Sequence, residues 1–177
     1  MIAFHADDSG HIVGGFTPLE ADIIADLAAQ VAGMLGGIAG SNDADPLFET
    51  VGIGGRDAID ADPAIARLLP DAYGDDDSSR DFRQLTERSL ASRKVANARV
   101  VIDTLARPDD ALVLSPVEVQ AWLRALSDIR LTIAARLGIE RDGDAGATGS
   151  DAALALHDLY DWLGYVTELL LEALDHD

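Results

Sequence analysis

The sequence predicts a mainly α-helical protein, a bundle of four main helices with a small β-hairpin at its amino-terminal side, and three observations lead there. Residues 78–107 contain neither Gly nor Pro, keep an unbroken 3.6-residue period and carry seven of the thirteen Lys and Arg residues. They should form one helix roughly 40 Å long. Two capping signatures, Thr17-Pro18-Leu19-Glu20 and Ser115-Pro116-Val117-Glu118, each precede a long amphipathic run, and a further such run ends the chain. The β-prone stretches, by contrast, are short and confined to the neighbourhood of the two signatures.

The totals bound what such a bundle can do. With 177 residues and 48% hydrophobic content, the chain suits a single domain, residues 1–177, with a sizeable core. The 32 acidic against 13 basic residues give a net charge of −19, a field that repels nucleic-acid backbones and anionic membranes and suits a basic protein partner. There is no cysteine, which removes disulfides, thiolate metal sites and cysteine nucleophiles together. The first residues, MIAFHADDSG, lack the basic and apolar regions of a signal peptide, so a cytoplasmic location is expected. Residues 23–39 lean apolar but are interrupted by Asp26 and Gln30 and rich in Gly, so they are not read as a membrane span. The oligomeric state stays open, homo-oligomers included.

In chain order, residues 2–6 and 11–16 are β-prone and are joined by Asp7-Asp8-Ser9-Gly10, a turn composition that predicts a hairpin. Thr17 then caps a helix to about Leu35, with Ile23, Leu27, Val31 and Met34 as its buried stripe. Residues 36–62, rich in Gly and Asp, are expected to be a long flexible loop. Residues 63–69 give two helical turns opened by Asp62 and closed before Pro70, and an acidic turn ending in Asp75-Asp76-Asp77 precedes the long helix, complementing its positive dipole end. After Pro108, residues 111–114 can form a strand ahead of the Ser115 signature. Strand-like run, Ser or Thr cap, Pro, branched apolar residue and Glu thus recur in order. This is either a weak internal repeat, whose third strand joins the hairpin, or two independent capping boxes. The Ser115 helix carries Val119, Trp122, Leu126, Ile129, Ile133 and Leu137 on one stripe and stops at Gly138. Residues 140–149 form a loop, and Ser150 caps the last helix, with its stripe of Leu159, Trp162, Leu163, Val166, Leu170 and Leu174.

On a helical wheel the buried face of the long helix centres on Phe82, Thr86, Ser89, Arg93, Asn97, Val100 and Thr104. Arg93 and Asn97 at such positions need partners, because an unpaired buried charge costs several kcal/mol. Arg130 sits among Leu123, Leu126 and Leu137 on the apolar side of the Ser115 helix, and Glu87, Asp103, Glu118 and Asp128 are the acids able to receive these cations. Two readings follow: a polar layer that fixes helix register, or a ligand or partner pocket. Arg124 and Asp128, one turn apart on the opposite side, suggest a solvent-exposed ion pair.

Charge is also segregated. Residues 80–107 hold seven basic and three acidic residues, whereas no Lys or Arg follows Arg141. The basic helix is then either neutralised inside the fold, leaving Arg88, Lys94 and Arg99 as its outer cations, or it offers a surface to an anion or nucleic acid. His157 and Asp161, one turn apart, read as a solvated pair rather than metal ligands. Asp142 and Asp144 begin like a calcium loop, but Gly146 and Ala147 stand where an oxygen ligand and the turn glycine are needed. The glycines at 52, 54 and 55 lack the flanking strand and helix of a phosphate-binding turn. No catalytic, cofactor or metal constellation emerges, and a non-enzymatic protein is expected.

Four segments together carry a resemblance: DPAIARLLPDAYGDDD, FRQLTERSLASRKVANARVVIDTL, AWLRALSDIRLTIAARLGI and YDWLGYVTELLLEAL. In order and spacing the chain resembles the actinobacterial family, first described only as a domain of unknown function, that includes the oxidative-stress regulator AosR. The resemblance implies a transcription-linked regulator acting through protein contact with a sigma factor or RNA polymerase, and a gene neighbourhood shared with a proteolytic adaptor. It also implies redox sensing through a cysteine pair, which a chain without cysteine cannot perform. A small anion- or ligand-binding domain, with Arg93, Asn97 and Arg130 as its pocket, and a direct DNA-binding regulator are the alternatives.

Overall fold

In the computed structural model, residues 2–40, 62–70, 80–108, 111–141 and 143–175 are described. Residues 41–61 of the expected loop, the glycines at 52, 54 and 55 and the acidic turn before the long helix lie outside them. Local chemistry sets the first elements. Strands β1 (Ile2–Ala6) and β2 (Ile12–Gly15) pair antiparallel. Their turn closes on Asp7, whose Oδ1 accepts from the amides of Ser9 and His11, both at 2.8 Å, with Gly10 at φ 74°. Gly14 is required by packing, since a Cβ there would stand 2.2 Å from Cδ1 of Phe4.

Thr17 opens helix α1 (Pro18–Ala39) with the expected reciprocal box: the Glu20 amide donates to Thr17 Oγ1 at 3.3 Å and the Thr17 amide to Glu20 Oε2 at 2.8 Å. The helix runs four residues beyond Leu35, into the glycines expected to be loop. Its buried stripe is Ile24, Ala28, Val31, Leu35 and Ile38, with Ile23, Leu27 and Met34 only half-buried. The expected face was therefore rotated by one position, because adjacent apolar residues at 23 and 24 make both stripes look amphipathic. Among the described residues α1 is long and apolar enough to cross a bilayer; its stripe is part of the protein core.

Helix α2 (Pro63–Leu68) is capped by Asp62, and Ala64, Ile65, Leu68 and Leu69 bury themselves beneath it. Helix α3 (Arg80–Leu105) is the long basic helix. Strand β3 (Leu112–Leu114) joins β2, Val13 opposite Val113, to complete a three-stranded antiparallel sheet of order β1-β2-β3. The second box then forms as the first does: Ser115 caps helix α4 (Pro116–Leu137) through the Glu118 amide at 3.4 Å, and Glu118 Oε2 accepts from the Ser115 amide at 2.8 Å. Gly138 ends α4 in the left-handed region at φ 70°, where a Cβ is disfavoured. Helix α5 (Asp151–Asp175) starts with the Ala153 amide on Ser150 Oγ at 3.2 Å.

The protein is thus mainly helical, with four long helices and one small sheet among the described residues. Helix α4 is central, packing on α1, α2, α3 and α5. All six residues of its expected stripe are buried, as are Leu163, Val166 and Leu170 of α5. The stripe of α3 differs from the wheel: Ala91, Val95, Ala98, Val101 and Thr104 are buried, while Ser89 and Arg93 are exposed and Asn97 half-buried. Small side chains on α3 let it lie close along α1, its most extensive neighbour.

Candidate functional site

Helix α4 directs its polar groups by simple geometry. Residues two apart on a helix point about 200° apart, so Asp128 faces α3 while Arg130 faces α5. Asp128 forms an ion pair with Lys94 Nζ of α3, the two side chains being 6% and 16% exposed. This corrects two expectations: Asp128 does not pair at the surface with Arg124, which is exposed, and Lys94 is turned inward rather than outward. The physical reason is the rotation of α3 about its axis, which buries Ala91, Val95 and Ala98 and thereby turns Lys94 into the α3–α4 seam and Arg93 out to solvent. Among the described residues the buried polar side chains are Asp128 and Thr104. Burial pushes the Asp128 carboxyl above the usual range, although the Lys94 ammonium opposes it.

Thr104 accepts from the indole Nε1 of Trp122 at 2.9 Å and donates back to the carbonyl of Val100 at 2.8 Å. The Trp122 ring stacks on Phe16 at 5.8 Å, and Phe16 meets Phe4 edge-on at 5.6 Å. One side chain of α4 therefore ties α3 to the sheet.

Two further arginines act as clamps. Arg107, past the end of α3, donates to the Val113 carbonyl at 3.1 Å and pairs with Glu118. Burial alone would raise the Glu118 pKa, but hydrogen bonds from Arg107 and Ser115 outweigh it and take the carboxyl from 4.5 to about 2. Because the folded value is depressed, this contribution to stability is full above 4.5 and is lost as pH falls through about 2. Glu118→Gln should accordingly destabilise the protein most at neutral pH. In parallel acid titrations of the unfolding free energy, the gap between the two proteins should close across that window; a gap independent of pH contradicts the pairing. Arg136 of α4 holds Asp62 Oδ2 at 2.7 Å while Oδ1 caps α2 through the Ala64 amide at 2.9 Å, so one carboxylate docks α2.

The sequence candidates are thus not gathered in one place. Lys94 and Asp128 meet; Arg93 lies exposed on α3, Asn97 and Glu87 are half-buried on that helix, and Arg130 stacks on Tyr160 of α5 with its guanidinium carbon 4.5 Å from the ring centroid. The pocket of Arg93, Asn97 and Arg130 does not form, because α3 and α5 pack on different faces of α4. Nor do Arg88, Lys94 and Arg99 make one basic surface, since Lys94 points inward. A groove of about 510 Å³ between the end of α1 and α3 is lined by Gly36, Ala39, Ser92, Ala96, Arg99 and Asp103.

Helix α5 presents the opposite charge. Asp151, Asp158, Asp161, Glu168, Glu172 and Asp175 lie on its exposed face, interspersed with Leu154, Tyr165 and Leu171, each about half exposed at 50%, 52% and 46%. Those apolar side chains escaped the sequence reading because they interrupt the acidic face rather than extend the buried stripe. His157 faces the 140–149 loop, its Nε2 lying 3.1 Å from the Ala147 carbonyl. No group of three or more His, Asp or Glu converges as a metal site among the described residues.

A family model described as "Domain of unknown function (DUF2017)" matches residues 1–174. Proteins named "Oxidative stress regulator AosR" from Mycobacterium tuberculosis and Mycobacterium bovis are each 29% identical over 179 residues, covering 93% of this chain and 82% of their own length. No solved structure matches.

Proposed function

The chain belongs to the DUF2017 family, and from that premise we propose that it is a non-enzymatic transcription-linked regulator that acts by binding a sigma factor or RNA polymerase. The observation that carries the reading is that its similarity to proteins named as oxidative stress regulators extends over 93% of the chain. The exposed face of α5 supports it: carboxylates alternating with Leu154, Tyr165 and Leu171 suit a basic, amphipathic protein surface of the kind that DNA-binding transcription proteins carry. With no cysteine, regulation in this protein proceeds without a thiol–disulfide switch.

The test is affinity capture from a lysate of the native host in moderate salt. The wild-type protein should retain a sigma or polymerase subunit. A variant carrying Asp158→Lys, Asp161→Lys and Glu168→Lys should lose it, with an unchanged circular dichroism spectrum. Recovery of no such subunit by the wild-type protein refutes the proposal; retention by the charge-reversed variant moves the contact away from α5.

A further inference from the structure

Arg130 differs from the clamping arginines in having no counter-ion among the described residues. Its guanidinium lies against the Tyr160 ring at 4.5 Å, and it reaches α5 beside Gly164: a Cβ at that position would meet one terminal nitrogen at 3.4 Å and Cζ at 3.5 Å, ordinary van der Waals contact. Its Nε is sealed from solvent with no hydrogen-bond partner, and no carboxylate pairs with it among the described residues. In a chain with 32 acidic residues, a partly desolvated cation left without an anion is unexpected, because removing it from water is compensated only when negative charge is supplied close by. The ring supplies part of that through its quadrupole. The side chain is only half-buried, and its terminal nitrogens take part in no hydrogen bond or ion pair among the described residues; a planar oxyanion accepts paired, charge-assisted hydrogen bonds from such a fork.

We infer that the Arg130–Tyr160–Gly164 niche between α4 and α5 is a binding site for the carboxylate of a small organic acid. A single negative charge fits better than a phosphate dianion. Asp161 and Glu168 lie within a turn of Tyr160 and Gly164 on the same helix, and the net charge of −19 penalises every additional charge on the ligand. The site is independent of the protein-contact reading, since it requires no partner.

Titration of the ¹⁵N-labelled protein with sodium acetate tests it, with sodium chloride holding ionic strength constant. The side-chain Nε–H resonance of Arg130, identified by its absence in Arg130→Lys, should shift together with the Gly164 amide along one saturable curve. Arg130→Lys keeps the charge and loses the planar fork, so the Gly164 shift should vanish. A shift that is linear in acetate, or that chloride reproduces, overturns the site, as does saturable binding that survives Arg130→Lys. Inorganic phosphate binding as tightly as acetate overturns the monocarboxylate assignment. The wild-type titration decides by itself if a variant does not fold.

Discussion

Replacing Trp122 with alanine is expected to lower the free energy of unfolding by about 3–5 kcal/mol, a large share of the roughly 5–15 kcal/mol typical of a domain. The side chain is wholly buried, stacks on Phe16 with an interplanar angle of 4° and donates its indole proton to Thr104. Truncation therefore opens a cavity where α3, α4 and the sheet meet, and removes the hydrogen bond that joins two of them. Trp122→Phe should be milder. It keeps an aromatic ring against Phe16, and Thr104 still donates to its own helix carbonyls, so the loss should be nearer the ~1 kcal/mol of one hydrogen bond plus the missing ring volume. Urea unfolding followed by the fluorescence of Trp162 measures both. A Trp122→Ala loss no larger than that of Trp122→Phe contradicts the central placement of the ring.

The second large effect concerns the Lys94–Asp128 pair. Lys94→Met leaves a carboxylate in the α3–α4 seam with a 6% exposed side chain, and removing one partner of a buried pair typically costs about 3–5 kcal/mol. Combining Lys94→Met with Asp128→Leu should recover most of that loss, since a packed apolar pair carries no desolvation penalty. The double-mutant cycle isolates the interaction. The pH dependence has a definite sign. Burial raises the folded-state pKa of Asp128 and Lys94 opposes the rise, so removing Lys94 raises it further. Favourable protonation of the folded form is then fully present below the unfolded value of 3.8 and is lost as pH rises through the raised one. The deficit of Lys94→Met should consequently be greatest at neutral pH and shrink on acidification. A deficit that grows on acidification, or a double variant no more stable than Lys94→Met, overturns the assignment.

Legibility in the sequence followed the range of the interaction. Thr17 with Glu20 and Ser115 with Glu118 are each separated by three residues, and Gly138 supplies its own left-handed turn. Such features are visible in a few consecutive letters. The stripe of α4 was equally plain, because Trp122, Leu126, Ile129 and Ile133 are large and apolar whereas Gln120, Arg124 and Ser127 on the exposed face are polar. Helix α3 offered no such contrast. Its buried positions include Ala91 and Ala98, which a wheel scores little above Ser89 or Thr86, so the apolar face could not be located from α3 alone.

For the polar residues the difference is sharper. Lys94 and Asp128 are separated by 34 residues, and which cation meets which acid depended on the rotation of α3 about its axis. Arg130 was recognised as an oddity on an apolar face, but its resting place beside Tyr160 and Gly164 lies on another helix. The sequence by itself determined the helices, their caps, the three short strands and the charge difference between α3 and α5, because these arise from neighbours along the chain. Only the tertiary structure decided which face of α3 is buried, and hence that Lys94 rather than Arg93 turns into the α3–α4 seam, and that Arg130 meets Tyr160 rather than a carboxylate among the described residues, because small residues pack by the shape of their partner rather than by a pattern of their own.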